Sequence, residues 1–262
     1  MRTAAKAIVR GVLGAVPGGR FVHRLLSEHR QRRRLAQIGN ARAIFDHHYA
    51  TNEWRCEESA SGQGSTIQYT ENIRKEIPRL VHTLGVRSVL DAPCGDFNWF
   101  RLVAFDPEID YVGGDIVEAL VARNRSMWEK PNRRFICLDI VHDSLPGADL
   151  WLCRDCLFHL SNDDVMLAFA NFLRSDIRYL LTSTHADCDR NQDISTGAFR
   201  LLNLELPPFS LGSPVERIDD WIDGYPVRHL ALWRREDLAG NERLQESIRR
   251  ASGRRRPGPG LG

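Results

Sequence analysis

The sequence predicts an α/β fold built on a doubly wound, mostly parallel sheet with helices on both faces. Short apolar segments alternate with helix-like segments from residue 85 onward, and this alternation is typical of parallel sheets. Carboxylates also stand at or just beyond four of the five strand ends predicted in the first part of this region. Because such sheets bind ligands at the carboxyl ends of their strands, the sequence predicts a ligand site there.

The predicted elements follow from the spacing of apolar residues in each segment. A helix is expected over 66–85, where apolar residues recur at helical intervals until Gly85 ends the pattern. Another helix starts at Ser161, a capping residue with Asp164 at the capping-box position. The strand candidates, in chain order, are RSVLD, YVGGD, RFICLD, ADLWLCRD, RYLLTSTH and RHLALWRRE, and two further helix candidates are FNWFRLVAF and IVEALVARNRSMW.

Three regions are expected along the chain. Residues 1–43 form a basic N-terminal arm, partly helical or disordered, and residues 44–240 form the folded domain, which opens with an ordered loop. Within that domain, residues 186–225 make a long connection, which we expect to be a lid-like insertion beside the site. Residues 241–262 form a basic tail, which we expect to be disordered.

Charge is distributed unevenly. The overall net charge is +2, but residues 1–43 alone carry +9, because ten Lys and Arg residues face only Glu28. Such an arm is either a solvated tail or a contact to an anionic surface, a membrane or a nucleic acid. No run of 18 apolar residues occurs, so no membrane span is expected. Six scattered cysteines favour a reducing, cytoplasmic compartment, with the arm suited to peripheral contact with the inner face of the membrane.

The turn after the first predicted strand, DAPCGDFNWF, separates two classes of cofactor. Dinucleotide and P-loop sites need a glycine-dense turn whose backbone N–H groups approach the phosphates. Here Pro93 has no N–H to donate, and Asp96 would bring negative charge towards a phosphate. The turn therefore disfavours a phosphate and favours a cationic ligand.

S-adenosyl-L-methionine is an adenosine derivative with a sulfonium and an ammonium group, and acids beside the turn suit both charges. Asp115 follows Gly95 by 20 residues, close to the distance of about 20 residues at which an acid holds the ribose in dinucleotide-binding sheets. Asp139, at the end of the third predicted strand, can accept a hydrogen bond from the adenine amino group. These residues predict S-adenosyl-L-methionine as the cofactor.

The same segments resemble a known family. VLDAPCGDFNWF, YVGGDIV, FICLDIV and DLWLCRDCLFHLSNDD resemble, in order, the strand-end motifs of class I S-adenosylmethionine-dependent methyltransferases, over roughly residues 85–185. The chain departs from the family's three-glycine turn at Pro93 and Phe97. It is similar there to a bacterial subgroup with a PCGDFNW turn, an SGxGST segment upstream and a GxFRxLNLxxPPF segment downstream. The resemblance implies a Rossmann-like, seven-stranded sheet and S-adenosylmethionine-dependent methyl transfer.

The resemblance also implies two groups of cofactor-binding residues, one for each end of the cofactor. At the methionine end it implies Asp91 near the ammonium group, with Cys94, Gly95 and Asp96 around the methionyl part. At the adenosine end it implies Asp115 on the ribose, Ile116 against the adenine, and Asp139 and Ile140 framing the adenine.

Catalytic candidates are expected after the fourth and fifth predicted strands. Transfer to a hydroxyl requires alignment of the acceptor and removal of a proton. His159 follows Asp155 by four residues, so one helical turn would let the carboxylate orient the imidazole. We expect His159 to be the base and His185 to be the next candidate; the alternative is that His159 only packs under the cofactor. Cys153 and Cys156, with His159 and Cys188, could form a zinc site or a redox pair only if their side chains converged. No metal is expected, because Cys153 is predicted to end a buried strand as a small apolar residue.

The favoured function is O-methylation of a small-molecule or glycan-like acceptor. A nucleic-acid methyltransferase that uses the basic arms is an alternative. It is disfavoured because CRDC stands after the fourth strand, where amino-methylating enzymes carry an N-P-P-Y-type run. A third interpretation is an S-adenosylmethionine-binding module without catalysis.

Overall fold

The computed structural model describes residues 19–254, with side chains from residue 29 onward, and contains one seven-stranded sheet. The strands are β1 (Ser88–Asp91), β2 (Asp110–Asp115), β3 (Arg133–Cys137), β4 (Leu150–Cys153), β5 (Tyr179–His185), β6 (Glu216–Asp219) and β7 (Arg228–Arg234). Their order across the sheet is β3-β2-β1-β4-β5-β7-β6. All neighbours pair in parallel except β7, which is antiparallel to both β5 and β6. The predicted fold class is confirmed.

Helices lie on both faces of the sheet. They are α1 (Gly19–Ile38), α2 (Ala41–Thr51), α3 (Glu71–Thr83), α4 (Glu118–Trp128), α5 (Asn162–Arg174), α6 (Arg235–Ala239) and α7 (Glu242–Arg254), with short 3-10 turns at Gln63–Ser65, Phe100–Leu102 and Leu157–His159. Helix α5 begins as predicted, since Oγ of Ser161 accepts a hydrogen bond from the backbone N–H of Asp164 at 3.2 Å.

Strand β4 shows why the sheet is covered on both sides. Its side chains alternate between the two faces, so Leu150 and Leu152 join one apolar cluster while Trp151 and Cys153 join the other. All four side chains are fully buried, and each of the large ones stabilises the fold by about 1.5–3 kcal/mol. Helix α3 contributes Ile73, Ile77 and Val81 to the first cluster, whereas α5 and α7 contribute to the second.

Four parts of the chain differ from the sequence expectations. Helix α2 occupies much of the expected loop at 44–65, and the expected helix FNWFRLVAF is only a 3-10 turn. That segment turns because Phe97, Trp99 and Phe100 all point into the core. Strand β6 was not predicted. Helix α7 replaces part of the expected disordered tail, since Leu244, Ile248 and Ala251 pack into the cluster that contains α5.

The long connection at 186–225 is a packed part of the domain. Leu202, Leu204 and Phe209 within it are fully buried, so this connection contributes to the core as well as to the rim of the site. Residues 1–18 of the expected basic arm and 255–262 of the expected tail lie outside the described residues. No helix in the described part of the chain has the length and apolar character needed to cross a membrane.

Candidate active site

A cavity of about 280 Å³ opens at the carboxyl edge of the sheet. Its walls come from the segments that follow β1, β2, β4 and β5, from the N-terminal end of β7, from α2 and from residues 60–65. Because β7 runs antiparallel to β5, its first residue, Arg228, pairs with His185 at this edge. The topology therefore places Arg228 and the residues that end or follow β1, β2, β4 and β5 around one space.

The turn after β1 is held tightly on three sides. The N–H of Cys94 donates to the carbonyl of Gly114 at 2.8 Å, and the N–H of Gly95 donates to Oδ2 of Asp115 at 3.1 Å. Gly95 has a φ of +55°, and a Cβ atom there would collide with Oγ of Ser61. The glycine is needed both for its left-handed backbone and for the close approach of the loop at 59–65.

Asp96 and Phe97 anchor this turn rather than line the cavity. The carboxylate of Asp96 accepts hydrogen bonds from Oγ of Ser59 at 3.0 Å and from the backbone N–H of Ala60 at 2.8 Å. Phe97, which has a φ of +59°, is 1% exposed and its ring packs against those of Tyr111 and Phe135. Phe97 therefore ties the turn to the core, at a position where the family that the sequence resembles carries glycine.

Asp91 lines the cavity from the end of β1. It is 2% exposed and accepts a hydrogen bond of 2.6 Å from the hydroxyl of Tyr111. Burial raises the pKa of its carboxyl to about 7, although the hydrogen bond from Tyr111 and the charge of Arg154 oppose the rise. A cationic group in the cavity would favour the ionised form of Asp91.

Asp115 lines the cavity from the end of β2. Its two oxygens accept hydrogen bonds from the backbone N–H groups of Gly95 and Val117 at 3.1 and 3.0 Å. Burial nevertheless raises the pKa of Asp115 to about 6. Each carboxylate oxygen keeps a further lone pair for a ligand hydroxyl. Ile116, Val117 and Leu120 form an apolar wall beside it.

Asp139 and Ile140 are the predicted cofactor residues that lie outside the lining of this cavity. The Asp139 carboxylate caps the following turn, accepting from the N–H of Val141 at 2.9 Å, and it pairs with the His142 ring at 2.9 Å. Ile140 is buried in the core cluster, and its carbonyl accepts from the side chain of Asn171. The other six predicted cofactor residues lie together, five of them in the cavity wall and Asp96 directly behind it.

A ring of alternating charges adjoins the cavity, with Arg154, Asp155 and Arg228 in its wall and Asp220 buried behind them. Arg154 pairs with Asp220 at 2.8 Å, Arg228 pairs with Asp220 at 3.0 Å, and Arg228 also pairs with Asp155. All four side chains are largely buried. Burial alone would raise the pKa of Asp155, but Arg154 and Arg228 outweigh it and hold that pKa below its usual value. Asp155 is therefore an ionised hydrogen-bond acceptor rather than a base.

His159 lies in the 3-10 turn after β4 and lines the cavity. Its Nδ1 donates to the carbonyl of Ala198 at 2.8 Å. The expected α-helical turn between Asp155 and His159 is absent, because the segment forms a 3-10 turn and Asp155 pairs with Arg228. The carboxylate of Asp155 is still near enough for its charge to favour the imidazolium form of His159. Burial lowers the pKa of His159 to about 4, so the ring is neutral at pH 7.

His185 ends β5 and lines the same cavity. It is 3% exposed, and its Nδ1 accepts a hydrogen bond from the backbone N–H of Leu202 at 3.3 Å. Burial lowers the pKa of His185 to about 4 as well. Both predicted histidines are thus neutral, and both line the cavity beside Phe158.

Aromatic side chains complete this end of the cavity. Trp54 and Phe199 lie 5.8 Å from the ring of His159, centroid to centroid, while Tyr69 and Tyr225 stack edge to face at 5.3 Å. Of these, the sequence pointed only to Trp54, as a residue that could close over the acceptor together with Arg200 and Asn203. Tyr69, Phe199, Tyr225 and Arg228 were not predicted as site residues. The charge of Arg228 at the start of an apolar strand was the available signal. Its importance depends on the reversed direction of β7, which the sequence did not reveal.

The six cysteines are all free, and Cys94 and Cys156 reach the cavity wall. Burial raises the pKa of the Cys94 thiol well above its usual value, so this thiol stays protonated. Within the described residues, no group of three or more His, Cys, Asp or Glu side chains is arranged to hold a metal ion.

No family model matches the sequence, and no match was found among curated proteins. Solved structures do match. Magnesium protoporphyrin IX methyltransferase (ChlM) from Synechocystis PCC 6803 with bound SAM aligns at a TM-score of 0.51 and 15% identity, over 74% of this chain and 97% of that one. The chain has the methyltransferase fold. The mitomycin 7-O-methyltransferase MmcR aligns at 0.50 and 16% identity, over 64% of this chain and 54% of that one.

At these identities, the likeness to the methyltransferase fold confirms the sequence resemblance at the level of the fold. The chain spans 66% of the methyltransferase domain of bacterial CtHen1-C and 56% of PigF.

Proposed function

We propose that this protein is an S-adenosyl-L-methionine-dependent methyltransferase that acts on a hydroxyl group of a small-molecule or glycan-like acceptor. One observation carries the proposal. In a domain with the methyltransferase fold, a single cavity at the carboxyl edge of the sheet is lined by two buried carboxylates, Asp91 and Asp115, whose pKa values burial raises to about 7 and about 6.

These residues fit S-adenosyl-L-methionine. A buried carboxylate is costly unless it is paired or neutralised. In the described part of the chain, Asp91 is hydrogen-bonded by a phenol, not by a cation. An ammonium group beside Asp91 would supply the missing charge. Asp115 can accept from ribose hydroxyls, and the apolar wall of Ile116, Val117 and Leu120 suits an adenine ring.

The cofactor, when bound, supplies a methyl group on a sulfonium, so the hardest part of the chemistry does not need the protein's side chains. The remaining tasks fall to residues at the other end of the cavity. Trp54, Phe199 and Tyr225 supply apolar surfaces on which a ring-shaped acceptor can stack. His159 supplies a neutral imidazole that can take the hydroxyl proton, and Asp155 supplies a nearby negative charge that stabilises the imidazolium.

Isothermal titration calorimetry with S-adenosyl-L-methionine tests the proposal. The wild-type protein is expected to bind one cofactor per chain, and Asp115→Asn is expected to weaken binding by about tenfold or more, the loss expected for hydrogen bonds to a charged group. Asp176→Asn is a matched control, because this exposed carboxyl precedes β5 at the opposite edge of the sheet.

Two outcomes would count against the proposal. The absence of heat of binding at millimolar cofactor would exclude the cofactor assignment altogether. Binding that transfers no labelled methyl group to any of a broad set of hydroxyl compounds would favour the non-catalytic alternative.

A further inference from the structure

His159 and His185 flank a common neighbour in the cavity. The ring of Phe158 lies 4.7 Å from the ring of His159 and 5.3 Å from that of His185, centroid to centroid. Both imidazoles line the cavity, one from the turn after β4 and one from the end of β5. The two histidines therefore reach the acceptor end from neighbouring strands.

The backbone fixes opposite tautomers on these two rings. Nδ1 of His159 meets the carbonyl oxygen of Ala198 at 2.8 Å, and an oxygen of this kind can only accept, so Nδ1 carries the proton. Nδ1 of His185 meets the N–H of Leu202 at 3.3 Å, which can only donate, so Nδ1 is the unprotonated nitrogen. Nε2 of His159 is consequently a hydrogen-bond acceptor, whereas Nε2 of His185 is a donor.

The two Nε2 atoms are available to a ligand. Each Nδ1 is engaged with the backbone, whereas no hydrogen bond within the described residues engages either Nε2, and neither Nε2 is fully buried. Because burial keeps both rings neutral at pH 7, Nε2 of His159 stays an acceptor and Nε2 of His185 stays a donor at that pH.

We propose that His185 is a hydrogen-bond donor to the reacting oxygen, and that His159 and His185 together select a hydroxyl group as the methyl acceptor. This inference rests on the proposed function. A hydroxyl can donate its proton to Nε2 of His159, accept from Nε2–H of His185 with one lone pair, and attack with the other. A carboxylate has no proton for His159. A neutral amine that accepts from His185 has no lone pair left for attack, and an ammonium has none at all.

The step balances without any further reactant. The new oxygen–carbon bond forms as the carbon–sulfur bond of the sulfonium breaks and its electron pair stays on sulfur, while the hydroxyl proton moves to Nε2 of His159. The ionised carboxylate of Asp155 favours the resulting imidazolium. His185 keeps its proton throughout, and therefore positions the oxygen without acting as a base.

Nuclear magnetic resonance of ring nitrogens in the full-length protein tests the tautomers directly. Long-range proton–nitrogen spectra are expected to show protonated Nδ1 in His159 and protonated Nε2 in His185, assigned with His159→Gln and His185→Gln. The same tautomer on both rings would overturn the inference, whether or not S-adenosyl-L-methionine binds. If both tautomers are as expected but the protein does not bind S-adenosyl-L-methionine, the result would instead count against the proposed function.

Three small aromatic probes test the selection of a hydroxyl. Phenol is expected to shift the Nε2 signals of both histidines, whereas benzoate and benzylammonium are not. His185→Leu is expected to weaken phenol binding about tenfold, as for the loss of one well-placed hydrogen bond. His185→Gln, which keeps a hydrogen-bond donor near the position of Nε2, is expected to retain most of the affinity for phenol. Equal responses to the three probes, no response to phenol, or equal losses in the two variants would overturn the inference.

Discussion

The carboxylate of Asp155 occupies the space that a side chain on Gly64 would need. The carbonyl of the same glycine accepts a hydrogen bond of 2.6 Å from Arg154. Asp155 itself has a φ of +54°, an unusual backbone conformation for an aspartate. The segment SGQGST and the segment CRDC therefore shape one wall together, and the charge ring depends on the absence of a side chain at Gly64.

Gly64→Ala is expected to push Asp155 away from Arg228 and to leave a buried guanidinium partly unpaired. The free energy of unfolding, measured by urea denaturation, should fall by about 2 kcal/mol or more. Gly147→Ala is the matched control, because a Cβ atom there meets nothing within 4 Å. Equal losses in the two variants would show that the charge ring does not depend on Gly64.

Asp91 should make the stability of the free protein depend on pH. Its folded pKa is about 7, whereas an unfolded aspartate has a pKa of about 3.9. Between these values the folded state holds a proton that the unfolded state has released, so the contribution of Asp91 to stability decreases as the pH rises from 4 to 7. Asp91→Asn removes this dependence.

Denaturation of wild type and Asp91→Asn at pH 4 to 8 measures the effect. The variant should gain stability relative to wild type by a few kcal/mol at most across this range, since one pKa unit corresponds to about 1.4 kcal/mol. A constant difference between the two proteins at all these pH values would contradict the raised pKa of Asp91.

The two cavity histidines should stay neutral well below pH 7. Their folded pKa values are about 4, while an unfolded histidine has a pKa of about 6.5. Stability is therefore expected to fall as the pH drops from 6.5 towards 4, because the unfolded state takes up protons that the folded state does not. Asp155 favours the charged form of His159, and His48 and Arg200 oppose it.

Ring-proton signals of His159 and His185, followed by nuclear magnetic resonance, should thus show no titration between pH 8 and 5.5. Replacing Asp155 by Asn should lower the pKa of His159 further. A midpoint near 6.5 in the wild-type protein would contradict the burial of these rings.

Arg42 links helix α2 to the segment after β2, where the proposed cofactor would contact Ile116. Its Nη1 donates to the carbonyl of Ile116 at 2.7 Å and contacts Sγ of Cys137 at 2.9 Å. Arg42→Ala should loosen the segment after β2 and weaken binding of S-adenosyl-L-methionine by about five- to tenfold in calorimetry. Arg79→Ala, which removes an exposed pair with Glu76 on α3, serves as the control and should bind normally. Unchanged affinity of Arg42→Ala for S-adenosyl-L-methionine would show that the contact between α2 and this segment does not contribute to binding.

The carboxyl edge of the sheet was predictable because the signals there are local. Asp91 and Asp115 each stand at the end of a short strand, with Gly95 in the turn that follows Asp91, and parallel pairing alone brings such strand ends together. Asp139 illustrates the limit of this reasoning, since its place just beyond the end of β3 was foreseen but its capping of the next turn was not. Strand-end position indicates where a side chain lies, not which partner it takes.

The other wall could not be predicted because its partners are distant in sequence. Arg154 meets Asp220 only after the chain has crossed β5 and formed the β6–β7 hairpin. Helix α7 was missed for a related reason: its few apolar residues are diluted by arginines, and only their contact with α5 shows that they are enough.

The contact between Gly95 and Ser61 has a consequence for protein engineering. A Cβ atom at 95 and the hydroxyl at 61 would compete for one volume, and Ser61 Oγ also accepts from the N–H of Asp96. The conformation of the PCGDFNW turn therefore depends on the segment that contains Ser61. A chimera that receives residues 91–98 without residues 59–65 would have the sequence of the motif but not the contacts that hold its conformation. The two segments should therefore be transferred together.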